Sequence, residues 1–253
     1  EDVVNQDKDR FSSRILRRLF VLNYAPNGMW TYAVSVFFMQ NKDAEGLLEE
    51  EQFYQFLRKI TGFIWTYAVT NPGVNALRTP VYAEMVNIVN GAPVTFAEYK
   101  FEPEKVQSMF GNFTFSNIRP ITKSMLAWWA FEDEEQELFP LETVLEIEHI
   151  YARNRYDKDK SLTDVKNLEA LGNKALLEKR INIRAADYRF EDKVKYYQGF
   201  TNSRNQQKEG TKNHELRCLS ETATDFTEKD IQKRTEQIMD AFLKYLGENE
   251  LLK

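Results

Sequence analysis

Through the first 130 positions, apolar residues recur at spacings of three and four, the period of helices that turn one face to a core. Ser12 and Ser13 are N-cap candidates ahead of Ile15, Leu16, Leu19 and Phe20. Past the turn signal Pro26-Asn27-Gly28, the residues Trp30, Ala33, Val34 and Phe37 keep the period. Over 49–69, a broad stripe of Phe53, Phe56, Leu57, Ile60, Phe63, Ile64 and Tyr67 predicts a long helix, closed by Asn71-Pro72-Gly73. Tyr82, Met85, Val86 and Val89 predict another, ending near Asn90-Gly91, and two more are expected over 103–110 and 122–130. Aromatic rings at this spacing read as core, and no histidine or Gly-rich phosphate loop occurs before residue 130.

The pattern changes near Pro140. Residues 143–150 mix β-branched and alternating positions and predict a strand. A charged stretch rich in turn formers follows over 153–164, and a second short apolar segment, 174–177, comes after the turn signal Gly172-Asn173. Helices are expected over 179–186 and 191–197, and the polar stretch 201–215 is expected as a mobile loop. The strongest helix is 227–246, with Thr227 as N-cap, Asp230 three residues on, and Ile231, Ile238, Phe242 and Leu246 in phase. The expected fold is mainly α with a small α+β element: a helical domain over 1–135, then a second domain over 136–253 that includes the closing helix.

At 42% hydrophobic residues, the 253-residue chain can bury a real core. A single cysteine, Cys218, excludes an internal disulfide and a Cys-based zinc site, and fits a reducing compartment. No uncharged apolar run reaches the ~20 residues of a membrane span; the best candidate, 21–38, is broken by Asn23, Pro26, Asn27 and Gly28. No signal peptide is visible. The chain starts at Glu1, which suggests a piece of a longer protein. Its net charge of −5 hides an uneven distribution, since 149–218 holds 16 basic and 10 acidic residues. Such a segment is either a footprint for a polyanion or an ordinary solvated surface.

Of the two histidines, His214 lies in the polar stretch and reads as a surface residue. His149 ends the expected strand directly after Glu148, with Asn173 and Asn182 following at 24 and 33 residues and Arg180, Arg184, Arg189, Lys193 and Lys195 around and beyond them. A lone histidine at a strand end can be structural; the adjacent carboxylate, the two asparagines and the cations favour chemistry.

The order Glu148-His149-Ile150, Gly172-Asn173-Lys174-Ala175-Leu176-Leu177, Asn182 and Phe190-Glu191-Asp192-Lys193 resembles the ββα-metal fold of HNH endonucleases. It is closer still to the C-terminal nuclease domain of the GmrSD family of modification-dependent restriction enzymes. The resemblance covers roughly 138–246, including Arg234 in the closing helix. It departs in Tyr151-Ala152-Arg153, where the family often has a proline, and in lacking the Cys₄ zinc knuckle of many HNH nucleases.

The resemblance implies a metal-dependent endonuclease that hydrolyses DNA phosphodiester bonds, in prokaryotic, cytoplasmic defence against foreign DNA. It also implies an N-terminal nucleotide-hydrolysing domain, for which these residues carry no motif. A neutral imidazole near pH 7 can take a proton from water, the role for His149. Glu148 and the amide oxygen of Asn182 are hard ligands suited to Mg²⁺ or Mn²⁺, with Glu146 as an alternative ligand. Asn173 would orient the imidazole by resemblance, or serve as a turn residue. Arg180, Arg184 and Lys193 are candidates for phosphate contacts, or part of a solvated helical face. Adjacent strand residues point to opposite faces, so Glu148 and His149 can share a site only where the strand ends or bulges. The alternative function is a non-catalytic nucleic-acid-binding or assembly module with a degenerate nuclease site. A metalloprotease is disfavoured, since no HExxH run occurs.

Overall fold

The computed structural model describes residues 9–73 and 75–253. Among them are eleven α-helices and only two two-stranded sheets, a mainly α protein with a small α+β element. No helix among the described residues is long and apolar enough to cross a membrane. The chain divides into two compact units, one of residues 1–113 and 239–253, the other of 114–238.

The first unit is built from α1 (Ser13–Leu22), α2 (Met29–Asn41), α3 (Glu50–Thr70), α4 (Arg78–Val89) and α5 (Pro103–Gly111). Ser12 caps α1, its hydroxyl accepting from the Ile15 amide at 3.4 Å. Glu49 caps α3 by accepting from the amides of Glu51 and Gln52. The stripe expected on α3 is the core: Phe53, Phe56, Leu57, Ile60, Phe63 and Ile64 are all buried. Its rings stack on neighbours, Phe56 on Phe37 at 4.1 Å and Phe63 on Phe96 at 3.7 Å between centroids. Gly62 admits residues from the far end of the chain, because a Cβ there would stand 2.9 Å from Leu251 Cδ1. Phe101 pairs with Leu252 in a parallel bridge in the same region. Not every ring is core: Tyr32 on α2 and Tyr82 on α4 are exposed.

The second unit carries α6 (Pro120–Glu132), β1 (Leu145–His149), α7 (Arg153–Asp159), β2 (Lys174–Glu178), α8 (Lys179–Ala185), α9 (Phe190–Gln198), β3 (Gly199–Thr201), β4 (Gln207–Glu209), α10 (His214–Thr222) and the start of α11 (Glu228–Glu248). β1 and β2 pair antiparallel with Glu148 opposite Ala175 and His149 opposite Lys174, and α8 follows without a break. The order is therefore strand, strand, helix. Ile150, Tyr151, Leu177, Phe190, Tyr197, Phe226 and Ile231 form the core beneath it.

Two stretches differ from expectation. The charged segment 153–164 contains the two-turn helix α7. The expected loop 201–215 contains most of a hairpin and the first two residues of α10. The hairpin turns at Asn202, whose side-chain oxygen accepts from the amides of Arg204 and Gln206, and at Asn205, which takes φ +56°. Asn213 then caps α10 by accepting from Leu216 at 3.0 Å. Strands of three residues show no readable alternation, which is why composition alone suggests a loop.

Gly172 serves packing rather than turning. A Cβ there would lie 2.0 Å from the Ile231 carbonyl oxygen and 2.6 Å from the Thr235 nitrogen, so only glycine lets the lead-in to β2 touch α11. Arg234 of α11 locks the contact, its Nη1 donating to the carbonyls of Leu171, Gly172 and Lys174.

Candidate active site

β1 is a regular ladder to its last residue, so its side chains alternate between two faces. Glu146 and Glu148 take one face and His149 the other. The expected convergence of Glu148 and His149 at a bulge is absent, and each residue meets its own set of partners.

On the first face, Glu148 is 3% exposed. Its Oε1 accepts from Lys193 Nζ at 2.7 Å and from the Tyr197 hydroxyl at 2.6 Å. Lys193 and Tyr197 lie one turn apart on α9, so one helical face delivers both. Lys193 is 1% exposed and also donates to the His149 carbonyl at 2.6 Å. Expected on a phosphate-facing surface, Lys193 is turned inward as the counter-charge of Glu148. Burial pushes the Glu148 carboxyl above its ordinary value, against the pull of the Lys193 ammonium, and pushes the Tyr197 phenol well up. Further along this face, Asn182 of α8 donates to Glu146 Oε2 at 2.9 Å.

On the second face, the His149 side chain is 11% exposed and its Nε2 has no hydrogen-bond partner among the described residues. Glu169 Oε1 lies 3.6 Å from that nitrogen. Glu169 is itself clamped, by Arg153 at 2.6 Å on Oε1 and by Lys174 at 2.6 Å on Oε2. Lys174 is fully buried, and its ammonium also donates to Asn117 Oδ1 at 2.9 Å and to the Phe115 carbonyl. Burial, then the charges of Lys174 and Arg153, lower the His149 pKa to about 4, with Glu169 opposing. The imidazole is therefore neutral at pH 7, and the same burial and neighbouring cations that keep it neutral oppose its taking up a proton.

Asn173 is buried and acts on the backbone just beyond His149. Its Oδ1 accepts from the Tyr151 amide at 2.7 Å, and its Nδ2 donates to the carbonyls of Tyr151 and Leu168. Its own carbonyl accepts from Ile150 at 2.9 Å. It thus fixes the direction of the chain leaving β1, rather than touching the ring. Arg180 is exposed on α8, and Arg184 reaches the Glu209 carbonyl at 3.3 Å.

These residues make a poor cradle for a divalent cation as they stand. An ammonium already occupies Glu148, Asn182 presents its amide to Glu146, and no three His, Cys, Asp or Glu among the described residues gather as a metal site. Sequence reasoning passed over Lys174, Glu169, Arg153 and Tyr197. Lys174 leaves a signal, a cation opening an apolar run; Glu169 and Arg153 come from irregular or short segments without one.

The C-terminal domain of the GmrSD restriction endonucleases matches residues 103–241. The chain belongs to this family, a nuclease family whose substrate is DNA. Neither a curated protein nor a solved structure matches it.

Proposed function

We propose that the chain is an HNH-type endonuclease that hydrolyses DNA phosphodiester bonds, with His149 as the general base. The observation that carries this is the neutral imidazole at the end of β1, whose buried Nε2 has no hydrogen-bond partner among the described residues, in a strand–strand–helix unit of the order such nucleases use. In this reaction His149 takes the proton of an attacking water. Arg153, half exposed beside the imidazole, meets charge developing on the phosphate, while Asn173 and Lys193 hold the strand end that aims the ring. A divalent cation, Mg²⁺ or Mn²⁺, would supply further neutralisation of the phosphate when bound; Glu148 and Asn182 are the residues assigned to it, and both are engaged elsewhere in this arrangement. A nucleotide-hydrolysing domain is the partner this function calls for.

The test is supercoiled plasmid incubated with Mg²⁺, Mn²⁺ or EDTA, for the wild-type chain and His149→Ala. Nicking by the wild type alone supports the assignment. Equal nicking by both chains rules out His149 as the base, and nicking that persists in EDTA removes the cation.

The Lys193–Glu148 pair favours a second reading, a DNA-binding module whose nuclease site is degenerate. It predicts salt-sensitive DNA binding that survives His149→Ala, with no cleavage under any divalent ion. A cleavage product that disappears with chelator excludes it.

A further inference from the structure

After α8 comes Ala186, which takes φ +44° and ψ −142°, a positive-φ conformation that an L residue rarely adopts. Asp187, itself exposed, accepts from the Asn154 amide at 2.8 Å, and Tyr188 beside it is 49% exposed. Its ring runs parallel to that of Tyr196 on α9, 6.2 Å between centroids and 11° between planes. Tyr196 in turn meets Phe200 of β3 edge-on at 5.3 Å. Three rings from a loop, a helix and a strand thus form one row on the surface of the second unit.

Cations flank the row. The Arg184 guanidinium lies 6.0 Å from the Phe200 ring and the Lys195 ammonium 5.0 Å from Tyr196. Lys208 is the cross-strand partner of Phe200, so its side chain leaves the same face of the hairpin. Arg204 is exposed at the hairpin turn. Among the described residues, Lys195, Arg204 and Lys208 enter no ion pair, although Glu191 and Asp192 stand on the same helix as Lys195 and Glu209 follows Lys208.

Tyr188 exposed at the end of a row whose other two rings are half-buried, with cations beside it, fits a ligand that offers flat rings and negative charge together. Unpaired nucleotides do so. A duplex hides the faces of its bases in the stack and presents their edges in the grooves and its phosphates outside. We propose that Tyr188, with Tyr196 and Phe200, is a stacking platform for an unpaired base of DNA, and that Arg184, Lys195 and Lys208 take the neighbouring phosphates. This rests on DNA as the substrate and adds the strand form that is held next to the helix bearing Asn182.

The test is direct binding in EDTA, so that cleavage plays no part, using a short single-stranded oligonucleotide with one 2-aminopurine and the duplex of the same sequence. Tyr188→Ala should weaken single-strand binding about tenfold and abolish the stacking quench of 2-aminopurine, while duplex affinity stays unchanged. Tyr188→Phe keeps the ring and should restore both readouts. Single-strand binding that Tyr188→Ala leaves intact overturns the platform. So does an equal loss on both substrates, or failure of the single strand to bind at all. Plasmid nicking by the wild type that is lost in His149→Ala establishes the nuclease whatever Tyr188→Ala does to single-strand binding, so the failure of the platform and the failure of the nuclease are distinguishable.

Discussion

Among the large fully buried side chains, the unit of residues 1–113 and 239–253 holds rings: Trp65, Phe63, Phe96, Phe110 and Tyr245. The unit of 114–238 buries rings too, but it also buries the ammonium groups of Lys174 and Lys193, each against a carboxylate. A ring is stabilised wherever its shape is matched. A buried charge must recover its lost hydration from partners set in one geometry, and an apolar pair of the same volume often serves stability equally well. The second unit therefore holds two buried ammonium groups around the end of β1, where the proposed chemistry lies.

The widest separation between the units is in activity. His149→Ala should lower plasmid nicking about 10³-fold, the scale of a lost general base, while the melting temperature stays close to that of the wild type. Next is the buried pair. Lys193→Met strands Glu148 without a counter-charge and should cost about 3–5 kcal/mol in urea unfolding, most of it recovered when Glu148→Leu is added. A single-variant cost near zero would show that Glu148 is not held as a buried anion, and would erase the contrast between the units.

The first unit buries Arg18 and Glu84 as well, but its core at Gly62 should respond to shape alone. Gly62→Ala pushes a methyl to within 2.9 Å of Leu251, 3.1 Å of Leu246 and 3.2 Å of Tyr245. These are side-chain ends that can give way, so a loss of about 1–3 kcal/mol is expected by denaturation, with nicking per folded molecule unaffected. The remaining effect is in pH. The folded His149 pKa of about 4 lies below the ordinary 6.5, so the unfolded chain takes up the proton first as pH falls. Its contribution to stability is whole above pH 6.5 and is lost progressively as pH falls toward 4. With two histidines in the chain, an NMR titration against His149→Asn should place this imidazole near 4; a midpoint near 6.5 would mean that neither burial nor Lys174 acts on it.

Much of this was legible in the chain. Every long apolar stripe became a helix, because a period sustained over several turns has no other way to bury itself. The strand ending at His149, the short segment before α8 and the closing helix were readable for the same reason. The opposed faces of Glu148 and His149 follow from strand alternation. The inward turn of Lys193 was available too: Phe190, Lys193 and Tyr197 share a three- and four-residue spacing, which puts the lysine on the buried stripe of α9. Glu169 was not legible. It reaches His149 from a segment without a regular period, and only the assembled fold brings it within 3.6 Å. The polar hairpin was hidden by strands too short to display a pattern, and Gly172 gave the sign of a turn where the need was for room beside α11.

The division of α11 has a consequence for synthesis. Its first turns belong to the second unit, while residues 239–253 complete the first. Phe242, Tyr245, Leu246 and Leu251 are all buried there. Residues 1–113 thus leave the ribosome well before the segment that fills their core, and they wait through translation of the whole second unit with apolar surface uncovered. The part of the chain made first is the part finished last, so a nascent chain arrested before Phe242 presents an open core to proteases and chaperones.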